Sequence, residues 1–182
     1  MQVEHSSVML DRCITLLTPS IEKTSSPVVV DSTLGLGGHS FALLKKFPQL
    51  KIVGLDRDLK AIEKATARLH EFSDRVTTVH AVYDEMPKVL DSLGIKNVDG
   101  ILFDLGVSSM QLDQSERGFS YSQSAPLDMR MDQSQGITAQ ELLDTYSRGD
   151  LIRVIREYGE EKFATRIVDN IIEARQAGTL KS

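Results

Sequence analysis

Three acidic residues stand where apolar runs end: Asp31 after VVV, Asp56 after KIVGL and Asp104 after GILF. A carboxylate in such a place accepts hydrogen bonds from hydroxyls or amines and favours a cationic ligand over an anionic one. Directly after Asp31 comes STLGLGGHS, where Gly35, Gly37 and Gly38 permit positive φ and let the main chain approach a ligand within contact. The dinucleotide fingerprint G-x-G-x-x-G opens in the same way, but Ser40 occupies its third glycine position. Beside Asp31 a pyrophosphate is repelled, whereas a ligand carrying an ammonium and a sulfonium, such as S-adenosylmethionine, is favoured. Asp56 follows Gly37 by nineteen residues, close to the spacing at which an acid accepts from ribose hydroxyls; the competing reading is a turn residue opening the next helix.

Further residues gather around the same place. Tyr83, just past the third apolar run, either stacks on an adenine or covers the edge of the core. His39 opens the helix after the glycine turn and is read as hydrogen bonding there, next to the ligand. A metal role is disfavoured, since His5, His70 and His80 lack ligand spacing and Cys13 is the single cysteine. Asp104 is the candidate catalytic residue, a carboxylate near the reacting end of the ligand, with Gly106 bringing main-chain carbonyls close. An acceptor on an N–H helps an amine nitrogen rehybridise toward an attacking geometry. The alternative is a plain strand-to-loop turn with Ser108 and Ser109 capping locally.

The elements that must position these groups are legible as hydrophobic periods. Ser6 and Ser7 are placed to cap a helix whose Leu10, Cys13, Ile14 and Leu17 share one face, with Pro19 as its stop. Strands are expected at 28–31, 51–56, 75–80 and 98–104. Between them lie helices through Phe41 and Leu44, through Leu59, Ile62 and Leu69 behind an Asp58 cap, and through Met86, Val89, Leu90 and Leu93 up to Gly94. Four βα units in succession predict a parallel, right-handed, doubly wound sheet in the order 3-2-1-4. The fourth strand is then a bare edge with Ile101 and Phe103 poorly covered. Residues 105–136 carry neither period and read as a long loop. Helices follow: one behind a Thr138/Glu141 capping box, one with Leu151, Val154, Ile155 and Tyr158 on a stripe closed by Gly159, and one over about 160–177 with Phe163, Ile167 and Ile171.

Composition narrows the class. Acidic residues outnumber basic ones 26 to 21, and the excess recurs on both sides of Asp104, so the electrostatic footprint of a protein that grips nucleic acid chiefly through phosphates is missing. One cysteine and no apolar run of membrane length point to a cytoplasmic protein with no disulfide and no membrane partner.

DSTLGLGGHS, GLDRD, FDLGVSSMQLD, RGFS (117–120), PLDMRMD (126–132) and YGEEKFATRI (158–167), with HSSVML at 5–10, together resemble the bacterial 16S ribosomal RNA (cytosine-N4)-methyltransferase family. The resemblance covers nearly the whole chain, and RGFS followed by PLDMRMD is far more specific than a glycine turn. It implies a Rossmann-like class I methyltransferase core over residues 1–113 and a loop with a partial helical insertion over 114–182. It further implies S-adenosylmethionine as methyl donor, a decoding-region cytidine of 16S rRNA in the small ribosomal subunit as acceptor, and no metal. Cofactor contacts are implied at Gly37, Gly38, His39, Asp56, Tyr83, Asp104 and Gln111, the last of which comes from the family pattern alone. Relative to that family the chain stops at AGTLKS, inside the helical insertion. A truncated, cofactor-binding fragment without activity of its own is therefore one alternative expectation, and an NAD-dependent oxidoreductase on the same fold is another.

Overall fold

The structure, a computed structural model, describes residues 7–120, 122 and 124–180, leaving aside the side chains of Ser109 and Met110. His5, Ser6 and the terminal KS lie outside the described residues. By packing, the chain divides into two compact units, residues 1–108 and 109–182. The division falls after Ser108, where the sequence reading sets it after Asp113.

In the first unit the order is α1 (Leu10–Ile21), β1 (Val28–Asp31), α2 (Gly38–Lys46), β2 (Lys51–Asp56), α3 (Leu59–Arg68), β3 (Val76–His80), α4 (Met86–Ser92) and β4 (Gly100–Leu102). The strands form one parallel sheet in the order β3-β2-β1-β4, as the four βα units predict. Successive side chains of β1 point to opposite faces: Val29 joins Leu43, Leu44, Leu69 and Ile21 on one side, Val30 joins Leu55, Met86 and Val89 on the other. With helices over both faces, the central strands are apolar throughout rather than alternating.

Several expectations need correction. Ser7 does not cap α1, which begins at Leu10 behind Met9 in a left-handed conformation and without a side-chain cap. Pro19 lies inside α1 rather than ending it. The hydroxyls of Thr18 and Ser20 bond back to Ile14 O and Leu17 O, and fully buried Ile21 holds the last turn against the core. Leu59 and Leu93 are exposed; α3 packs through Ala61 and Ala65 instead, which lets it lie close to the sheet. The fourth strand is shorter than 98–104, since pairing with β1 stops at Leu102. Ile101 and Phe103 are 44% and 46% exposed, as an edge strand leaves them.

The segment 105–136, most of which lies in the second unit, is no featureless loop. It contains α5 (Ser109–Asp113) and a 3-10 turn at Ser115–Arg117. The reason escapes any hydrophobic period, because the packed centre is a charged group. Arg117 is 1% exposed, and its Nη2 donates to Arg130 O (3.1 Å) and Met131 O (2.8 Å). Its own carbonyl accepts from Met129 N, so the segment closes on both sides of one side chain. Asp128 then receives Arg130 through two paired contacts of 2.8 and 2.9 Å. Then come α6 (Ala139–Thr145), α7 (Arg148–Glu157) and α8 (Ala164–Gln176). The Thr138/Glu141 capping box is present in both directions. The last helix is shorter than 160–177, because Glu160 takes φ 50° and breaks the run; Tyr158 and Phe163 are exposed rather than on a packed stripe.

Candidate functional site

In a parallel sheet every strand ends on the same side, so Asp31, Asp56 and the segment reaching Asp104 converge at one rim. The chain from Asp31 to Gly38 is fastened to both neighbouring strands there. Ser32 N donates to Leu102 O (2.9 Å), and Asp104 N donates to Thr33 Oγ1 (2.7 Å). On the other side Leu34 N donates to Leu55 O (2.9 Å), and Gly35 N donates to Asp56 Oδ2 (2.7 Å). The Leu34 side chain lies across β2 at Gly54, where a Cβ would sit 2.7 Å from Leu34 Cδ1. Gly37 caps α2 at φ 71°, a conformation that side chains rarely adopt, so the turn needs glycine there.

The acids divide into two kinds. Asp31 does not face a ligand as the sequence suggests: it is 1% exposed, with Oδ2 accepting the Ser40 hydroxyl at 2.6 Å. Burial pushes its carboxyl up, only partly opposed by the Ser40 bond, so its part is to fasten the first turn of α2 to the end of β1. Ser40, standing where the dinucleotide pattern wants glycine, is fully buried in that task. Asp56 is half-buried. Its Oδ2 accepts Gly35 N and its Oδ1 accepts Asp58 N (2.9 Å), and a carboxylate has lone pairs for further donors. Burial raises its carboxyl too, helped by the nearby Asp58 charge and opposed by the amides of Asp58, Gly35 and Arg57. Asp104 is exposed, with its main chain held by Thr33.

His39 is buried in the first turn of α2, where its Nε2 donates to Val8 O at 3.0 Å, tying α2 to the chain before α1. Tyr83 is half exposed and meets Phe103 edge-on, ring centres 5.8 Å apart, so it reaches across the rim to the chain leaving β4. Six expected site residues, Gly37, Gly38, His39, Asp56, Tyr83 and Asp104, thus lie in one unit at the strand ends or in the turns that follow them. Gln111 lies in the other unit, buried in α5. Sequence reasoning missed Thr33 and the fastening role of Ser40; a hydroxyl residue just past a strand end is too common to signal either.

Does the rim suit S-adenosylmethionine? The half-buried Asp56 and the exposed Asp104 are acceptors of the kind it needs on one rim, while Gly37 packs against Leu69 and Ala65 and Gly38 against Ser7. Ser32 Oγ adds a buried hydroxyl, next along the chain from Asp31, with no hydrogen-bond partner among the described residues. The residues fit such a group. Among the described residues no three His, Cys, Asp or Glu side chains are grouped to hold a metal ion, and no helix is long and apolar enough to cross a membrane.

Residues 2–182 match the model of the MraW methylase family. Curated relatives of this chain bear the name ribosomal RNA small subunit methyltransferase H. That of Streptomyces avermitilis is 57% identical over 175 residues, 96% of this chain and 55% of the relative. That of Salinispora arenicola is 56% identical, covering 98% and 48%, and that of a Parafrankia species is 56% identical, covering 97% and 54%. The chain spans about half the length of the curated relatives it matches.

Proposed function

This chain belongs to the MraW methylase family, and we propose that it carries the methyl-donor site of an rRNA methyltransferase that modifies the N4 amino group of a cytidine in the decoding region of 16S rRNA, in the cytoplasm. The observation that carries the reading is the fastening of one glycine turn to Asp56 on one side and to the main chain of Asp104 on the other. S-adenosylmethionine supplies, when bound, a methyl group already activated on a sulfonium. What remains for the protein is to hold and orient. Gly37 and Gly38 shape the space for the methionine end, His39 keeps the first turn of α2 in place, and Asp56 accepts from the ribose hydroxyls. Tyr83 flanks the adenine. Asp104 orients either the acceptor amine or the amine of the donor by taking an N–H. A cytosine N4 lone pair is delocalised into the ring, so an acceptor on its hydrogen favours the pyramidal nitrogen that attack requires.

The test is mass spectrometry of nucleosides from small ribosomal subunits incubated with the whole protein and labelled donor. Label at cytidine N4, and loss of most turnover in Asp104→Ala with the fold intact, are expected. Label at cytosine C5 or on a ribose hydroxyl would contradict the assignment.

A further inference from the structure

Parallel pairing carries a regular rule: when a residue of one strand donates to residue j of its neighbour, residue j+2 donates back to that same residue. Ser32 N donates to Leu102 O, so the next rung would take Asp104 N to the carbonyl of Ser32. It does not go there. The chain has turned out of the sheet, and Asp104 N meets the Thr33 hydroxyl at 2.7 Å, across 71 residues of sequence. Thr33 thus adds one side-chain rung beyond the last backbone rung of β1 and β4, at the residue read above as the orienting acid.

Stability gives little reason for this contact. Asp104 is exposed, so water would satisfy its amide if the hydroxyl were absent. What water would not supply is a fixed place for the Asp104 main chain, because β4 ends at Leu102 and the residues after it, Phe103, Leu105 and Val107, are all exposed. The amide two residues further along the same turn, Gly35 N, holds Asp56 at the same distance, 2.7 Å. One short segment thereby sets the places of both acids relative to each other. We propose that Thr33 is a positioning residue, which holds Asp104 in register with Asp56 for the bound donor; the inference rests on the donor reading given above.

Thr33→Val keeps the volume and removes the hydroxyl, while Thr33→Ser keeps the hydroxyl. In the whole protein, amide hydrogen exchange at Asp104 reads the link directly, and calorimetric titration with S-adenosylmethionine reads its consequence. Thr33→Val is expected to speed exchange at Asp104 and to weaken donor binding roughly two- to tenfold, with the melting temperature nearly unchanged. Thr33→Ser should restore both, and in an Asp104→Ala background Thr33→Val should weaken binding no further. Unchanged exchange at Asp104, an equal loss of affinity in the Asp104→Ala background, or a loss that serine fails to rescue would each overturn the proposal. Wild-type protein that takes up no S-adenosylmethionine would instead contradict the donor reading, and exchange at Asp104 would still decide the link on its own.

Discussion

In residues 7–108 the most deeply buried acid, Asp31, accepts the Ser40 hydroxyl and the Thr33 amide, whereas in 109–182 the most deeply buried charge, Arg117, donates to the main-chain carbonyls of Arg130 and Met131. The first unit folds around Val29, Leu43, Leu44 and Leu69 and tolerates a few acids at its rim. The second holds its loop together through the polar groups themselves. Their carboxyls show the contrast. Asp31 and Asp56 are pushed up by burial, while Asp128 is held down at about 2 by its Arg130 partner, and Glu141 and Asp169 lean downward through Thr138 and Arg148.

The sharpest way to break this comparison is Arg117→Ala. It leaves the carbonyls of Arg130 and Met131 without their charged donor and opens a cavity, at a cost of about 3 to 5 kcal/mol. Because the two units need not unfold together, hydrogen exchange resolved by segment is the measurement. Protection should collapse across 115–140 and persist in β1 and β2. Equal loss in both would show that the units are one cooperative body.

Ser40→Ala comes next, at about 1 to 3 kcal/mol, since the buried Asp31 oxygen loses its donor. The pH dependence gives the mechanism. Asp31 binds its proton more tightly folded than unfolded, so its ionised form opposes folding above the folded value, and this opposition fades as pH falls. The Ser40→Ala penalty should therefore shrink in acid, and a penalty independent of pH between neutrality and pH 4 would deny Asp31 that role.

The smallest effect belongs to Asp128→Asn, below about 1 kcal/mol at neutral pH for a pair this near the surface. Asp128 contributes stability above the ordinary value of 3.8, and loses it as pH falls through about 2. In an acid titration followed by exchange, 126–140 should lose protection in that window in the native protein, and Asp128→Asn should flatten the dependence.

The same contrast explains what the sequence reveals. VVVD and KIVGLD come out as β1 and β2 to the residue, because an apolar run buried on both faces and ended by an acid has few other readings. β4 is less legible: with a neighbour on one side only, it stops pairing at Leu102, and no residue type marks that point. The fold of 109–136 is not legible at all from hydrophobic period, for its organiser is an arginine. At the site, Asp56 and Asp104 stand out by type and spacing, while Asp31 differs from them only by burial, which a strand-end position cannot disclose. Thr33 matters through the residue it meets 71 positions away.

We propose that the glycine turn and the ends of β1, β2 and β4 hold the methyl donor. The most direct measurement is a titration of the whole protein with S-adenosylmethionine, followed by the backbone amide resonances. The amides of Gly35, Gly37, Gly38, Asp56 and Asp104 should shift together with one affinity, and NAD at the same concentrations should leave them in place. Shifts confined to other residues, or the same shifts produced by NAD, would contradict the account.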